Sequence, residues 1–267
     1  MESNQESPRG LMTMGGHLEV LRKMLFRILF VTLAISIVVF IFRKQTFSII
    51  LAPRDSTFIF YRGVEWLLQL FGIDYHFQEF SIELISTDLS AQFILHISTS
   101  FYVALLLASP YILFELFRFI SPALYDHEKR YTLPIVFVVY VLFAFGIMMT
   151  YYVLFPFSFR FLGTYQVDET VINTITLTSY ITSLISMSLI MGVVFQLPVL
   201  AFLLGKLGVI SYELLANCRQ WALMIIMVLS AVITPPDIIS LLIVSIPLYS
   251  LYEVSISILK HMNKHIN

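Results

Sequence analysis

Few side chains in this sequence have the means to do chemistry, and the most distinctive are carboxylates set among basic residues. Glu128 lies in Phe117-Arg118-Phe119-Ile120-Ser121-Pro122-Ala123-Leu124-Tyr125-Asp126-His127-Glu128-Lys129-Arg130, and Glu19 in His17-Leu18-Glu19-Val20-Leu21-Arg22-Lys23. The natural bidentate partner of a carboxylate is the planar guanidinium fork. Both acids therefore suit recognition of arginines on another chain; equally, Glu128 can pair with His127, Lys129 or Arg130 in a solvated loop. Gln196 is a polar group inside an apolar run, and Asp237 follows Pro235 and Pro236. The six histidines have no ligand-like spacing with carboxylates beyond the loop run Asp126-His127-Glu128, so no metal is expected. Cys218 is the single cysteine, which excludes an intramolecular disulfide and a cysteine cage. No nucleophile elbow, zinc-protease motif or phosphate loop occurs. The expectation is a protein that is not an enzyme and takes no cofactor.

The elements that must position these groups are set by composition. Of 267 residues, 58% are hydrophobic and 12% charged, with a mean hydropathy of +0.87. Soluble domains run at about 45–50% apolar and about 25% charged, so this chain needs apolar surface that faces lipid. A net charge of −1 gives no basic field for nucleic acid. The reading is one all-α integral membrane domain over 1–267, with 1–14 a flexible cytoplasmic N-terminus and 43–90 a long first outer loop. The first apolar run is too long for a cleavable leader and is expected to stay as a spanning helix.

Six apolar runs follow one another: Met24–Phe42, Ala91–Phe114, Leu133–Phe155, Ser179–Leu204, Trp221–Thr234 and Ile238–Leu259. At about 1.5 Å per residue against a core about 30 Å thick, the first four can span. The last two are read as short spans in a thinned bilayer. The third is expected to end at Pro156, while Pro110, Pro198 and Pro247 should bend their helices into a concave bundle. Pro235 and Pro236 predict a tight outer turn, with Asp237 as the cap of the sixth helix. Gln196 should face the bundle interior, either joining neighbouring helices through its amide or serving transport. In the outer loop, Tyr61, Val64, Leu68 and Phe71 recur at helical spacing, which predicts an amphipathic helix in the interface or packed over the bundle.

Arg9, Arg22, Lys23, Arg27, Arg118, Lys129, Arg130, Lys206, Arg219, Lys260 and Lys264 gather on one side; Arg43, Lys44, Arg54, Arg62 and Arg160 lie on the other. That bias places both termini in the cytoplasm. Glu115 and Glu253 fall near cytoplasmic helix ends, where water or a basic neighbour can satisfy them. A secondary transporter of a small solute is the alternative reading, although Gln196 stands almost alone near mid-membrane.

The order of the motifs carries a resemblance. His17-Leu18…Leu21-Arg22, the loop Phe119…Pro122-Ala123-Leu124-Tyr125…Glu128-Lys129, Phe195-Gln196-Leu197-Pro198-Val199, Thr234-Pro235-Pro236-Asp237 and Pro247…Leu251-Tyr252-Glu253 follow in register over nearly the whole chain. In this the chain resembles the TatC family, the polytopic subunit of the twin-arginine protein translocase. The resemblance implies binding of twin-arginine signal peptides of folded cargo, with Glu128 as the acceptor and Phe119 beside it, and with Leu18, Glu19, Arg22 and Pro122 in the same cytoplasmic region. It also implies single-span partners of the TatA and TatB type, further copies of the chain in a receptor complex, and the proton-motive force without nucleotide. One departure stands out. The family's regular acid directly before Leu-Arg is Val20 here, and Glu19 lies about 100° around the helix from it. Similarly, Gln196 stands where the family often has glutamate, so it offers a hydrogen bond but no titratable proton.

Overall fold

Apolar segments in lipid have no water to bond with and must close their hydrogen bonds internally. In the computed structural model, which describes residues 14–73, 82–120, 132–166, 168, 174–234 and 237–266, they do so as helices. The order is α1 (Met14–Ile41), α2 (Arg43–Leu51), α3 (Ile59–Leu70), β1 (Leu84–Ile85), α4 (Ala91–Ile120), α5 (Thr132–Met149), α6 (Phe155–Thr164), β2 (Ile175–Thr176), α7 (Leu177–Val194), α8 (Leu197–Lys206), α9 (Tyr212–Asn217), α10 (Arg219–Ile233) and α11 (Ile238–Ile266). Among the described residues, five helical stretches are long and apolar enough to cross a membrane, including Ile135–Thr164 and Leu177–Lys206, which each join two elements. The short apolar helix is α10, whose 15 residues rise ~22 Å.

Two expectations are corrected. The third run does not end at Pro156. Residues Thr150–Leu154 take a π-helical turn, and α6 continues from Phe155. A proline lacks the N–H that an α-helix needs and crowds the carbonyl four residues back; the wider π register takes up that mismatch. The last two spans are not both short. Ile238–Met262 holds 25 apolar-rich residues, ~37 Å of helix, and α11 runs through Pro247 without a break. Pro110 likewise sits within an unbroken α4.

Helices α1 and α4 lie antiparallel. Ser100, Ala104 and Ala108 on α4 are all buried at a spacing of four, so small side chains let α1 approach closely. The far end of the pair is fixed by His96, which stacks on Phe40 at 4.0 Å and bonds to the Phe40 carbonyl at 3.1 Å. Helices α5 and α7 also approach closely at Gly146, where an added Cβ would meet the Met191 carbonyl oxygen at 2.8 Å. The inner core centres on α7, with Tyr180, Ile181, Leu184, Met187 and Met191 packed against Leu154, Phe155, Phe159 and Leu248.

The outer-loop segment packs on this core through three tyrosines. Tyr61 donates to the Pro156 carbonyl at 3.0 Å, Tyr151 to Ile49 at 2.7 Å and Tyr180 to Ile50 at 3.0 Å. Burial pushes the Tyr61 hydroxyl well above its usual range, so it stays a donor; Arg160, stacked over its ring at 5.3 Å, opposes that only in part. The packed stripe is narrower than expected. Val64 and Leu68 are half-buried, whereas Phe71 is 77% exposed beside exposed Trp66, Leu67 and Leu70. That second apolar edge suits the membrane interface. In a Trp221→Phe background, Trp66 fluorescence is expected to shift to the blue on reconstitution, with shallow brominated lipids quenching more than deep ones. Water-like emission in bilayers would refute an interfacial α3.

Candidate functional site

The antiparallel pairing brings the start of α1 and the end of α4 to one end of the bundle, and an ion-pair cluster marks the junction. Arg27 donates from Nη1 to Glu115 Oε1 at 3.3 Å, and Tyr111 donates its hydroxyl to the same oxygen at 3.3 Å. Arg118 approaches it at 4.0 Å. Glu115 is only 5% exposed, so a carboxylate without partners would be strongly unfavourable there; the cations and the hydroxyl together satisfy it. Phe119 follows one turn beyond Glu115 and is half-buried. On α1, Leu18, Glu19 and Arg22 are exposed. Glu19 does not stand free: its Oε1 accepts from Lys23 Nζ at 2.8 Å, an i,i+4 pair on the surface of α1. Glu128 and Pro122 lie outside the described residues, as do Pro235 and Pro236.

The same end carries a second ion pair. Arg219 at the start of α10 holds Glu253 of α11 with both carboxylate oxygens, at 2.8 and 3.1 Å, and Tyr249 donates to Glu253 at 3.0 Å. Sequence reading left the partners of Glu115 and Glu253 open. The available signal was a charge within or just ahead of another apolar run at matching depth, Arg27 and Arg219 respectively.

Gln196 sits at the break between α7 and α8. Its Nε2 donates to the Gly192 carbonyl of its own helix at 3.2 Å, rather than to a neighbouring helix, and its Oε1 is buried without a partner. Pro198 begins α8 and lines an apolar groove of about 440 Å³ between α5, α8 and α11, with Ile135, Val138, Phe202, Leu251 and Val254. Asp237 precedes α11, and its Oδ1 accepts the Ser240 N–H at 2.6 Å in N-cap geometry. The arrangement brings charge, an aromatic edge and an apolar trough to one end; among the described residues it presents no nucleophile beside a base.

Residues 16–247 match the model of the family described as Sec-independent protein translocase protein (TatC). The Sec-independent protein translocase protein TatC of Blattabacterium sp. subsp. Periplaneta americana is 33% identical over 252 residues, covering 93% of this chain and 95% of that protein. Its counterpart from Deinococcus radiodurans is 32% identical, covering 90% and 83%. The fold is similar to a crystal structure described as the twin arginine translocase receptor TatC, with a TM-score of 0.71 and 30% identity over 91% of this chain and 98% of that one.

Proposed function

Since the chain belongs to the TatC family of Sec-independent protein translocase proteins, we propose that it is the signal-peptide receptor of its translocase. TatC proteins are multi-pass membrane subunits of the twin-arginine protein-transport system, and the five long apolar helices of this chain accord with that. The reading adds α10 as a sixth, short crossing and sets both termini in the cytoplasm of the inner membrane. The end of the bundle that holds Arg22, Lys23, Arg27, Arg118, Lys206, Arg219 and Lys260 then faces inward, as the charge bias requires.

The observation that carries the proposal is that Phe119, at the close of α4, and the apolar groove whose wall starts at Ile135 lie at that end, with Glu128 falling between them in the sequence, seven residues before Ile135. A twin-arginine signal peptide has two guanidinium groups followed by an apolar stretch. Glu128 takes the arginines, Phe119 and Pro122 border them, and the groove beside Pro198 receives the apolar part. Glu19 is a secondary contact, because Lys23 already engages it. Gln196 supports the groove wall with its amide. The reading makes Pro235, Pro236 and Asp237 the outer turn between α10 and α11, with Asp237 as the cap of α11. These two helices expose Leu223, Val228, Val232, Leu242 and Ile246, a face that suits single-span partners of the TatA and TatB type. Export then runs on the proton-motive force, with several copies of the chain in one receptor complex.

A photoreactive residue in place of Phe119 tests the reading. An Arg-Arg signal peptide is expected to form an adduct, and the Lys-Lys version much less, since an ammonium lacks the guanidinium fork. No adduct with the Arg-Arg peptide would sink the assignment.

A further inference from the structure

Hydroxyl groups inside membrane helices usually bond to the carbonyl four residues back, and in this chain Thr150, Ser188, Ser245 and Ser255 all do so at 2.7–3.0 Å. The cleft between the N-terminal halves of α4 and α7 departs from that pattern at four hydroxyls, while Ser98 keeps it, bonding to the Ile94 carbonyl at 2.9 Å. It has a volume of about 540 Å³ and is lined by Asp88, Ser98, Thr99, Thr178, Thr182 and Ser186 together with apolar residues. Among the described residues, Thr178, Thr182 and Ser186 make no hydrogen bond, even within α7; they recur every four residues and are all exposed. Thr99 is 0% exposed and its Oγ1 has no partner. An unpaired hydroxyl in hydrocarbon costs about 1–3 kcal/mol on protein scales and more against alkane. Four of them along one cleft is not a lipid-facing arrangement.

The mouth is held at fixed width. β1 and β2 pair in parallel, Leu84 with Ile175 and Ile85 with Thr176, just ahead of α4 and α7. Asp88 lies at that mouth, while Ser186 is nine residues into α7, ~13 Å along its axis. That depth is close to half of the ~30 Å hydrocarbon core.

We infer that this cleft is a water-filled inlet, open at the β1–β2 end, that carries solvent to about mid-bilayer depth along α7. Its ligands are water molecules bonded to Thr99, Thr178, Thr182 and Ser186. The inlet shortens the apolar path on that side of the bundle, independently of where a signal peptide binds.

Single cysteines in a Cys218→Ser chain, reconstituted in lipid nanodiscs, test this with a small cationic thiosulfonate. The thiolate attacks the reagent's sulfenyl sulfur and displaces a sulfinate, and thiolate forms only where water reaches the cysteine. Thr182→Cys and Ser186→Cys are expected to react within about tenfold of Leu89→Cys at the mouth, and Ile97→Cys and Val193→Cys, exposed on helix surfaces outside the cleft lining, at least about a hundredfold more slowly. Rates for Thr182→Cys and Ser186→Cys as slow as those for Ile97→Cys would overturn the inference. Hydroxyl-radical footprinting of the unsubstituted chain is the second arm. Tyr102, which lines the cleft, is expected to oxidise several-fold faster than the comparably exposed Tyr140 of α5; equal rates would mean a dry cleft.

Discussion

Replacing Glu128 by lysine is expected to abolish export of twin-arginine cargo while Sec-dependent secretion continues. The substitution puts an ammonium where two guanidinium groups should dock. It therefore loses a charge-assisted bidentate contact and adds like-charge repulsion beside Lys129 and Arg130. Losing one such contact is worth about 2–5 kcal/mol when it is partly desolvated, a factor of roughly thirty or more in affinity. Glu128→Gln keeps the shape and loses the charge, so it should fall between the two. Glu19 is expected to make up little of the difference, because it lies about 100° around α1 from the position that Val20 occupies and pairs with Lys23 on the helix surface. The corresponding substitution Glu19→Gln is expected to reduce export by a few-fold only. Export of an Arg-Arg reporter in cells, with the chain's abundance in the membrane measured alongside, checks the series. Normal export by Glu128→Lys would remove Glu128 from the receptor site.

The second large effect is expected at the junction of α1 and α4. Glu115→Arg leaves Arg27, Arg118 and a third cation around a site from which water is nearly excluded. Breaking a buried pair costs about 3–5 kcal/mol; Arg27 is half exposed, so the lower part of that range applies here. Thermal unfolding in detergent should drop by several degrees, and Phe119, one turn further along α4, should lose its placement. The exchange Arg27→Glu with Glu115→Arg restores an opposite pair across the same helices and is expected to recover most of the stability. An unchanged melting temperature for Glu115→Arg, or an exchange no better than the single change, would show that the pair does not hold the junction.

Part of the candidate site was legible because it is written in short local strings. The helix break at Gln196-Leu197-Pro198 and the cap at Asp237 stand where their residue types predict them, whereas the roles proposed for Phe119 and Glu128 rest on the motif. The partners of Glu115 and Glu253 were not legible, since Arg27 lies 88 positions from Glu115 and Arg219 lies 34 from Glu253. Nor was the passage of the chain through Pro156. A proline announces a missing donor, but whether the helix stops or widens into a π turn depends on what packs around it, here Tyr61 bonding to the Pro156 carbonyl.

Composition and hydropathy are enough to make this chain helical and membrane-embedded, for a reason of solvent: runs this apolar can satisfy their backbone in lipid only by coiling on themselves. The sequence also determined the family, through motifs in fixed order. Only the tertiary structure decided which faces of those helices meet. A helix that is apolar all round carries no amphipathic stripe to mark its inward side, so rotation and register come from the few contacts that fit in one way. In this chain those are the Ser100-Ala104-Ala108 ridge under α1, the Gly146 approach to α7, and the Arg27–Glu115 and Arg219–Glu253 pairs. They bring the end of α4 beside the start of α1, and they leave the hydroxyls of α7 facing a cleft instead of the lipid.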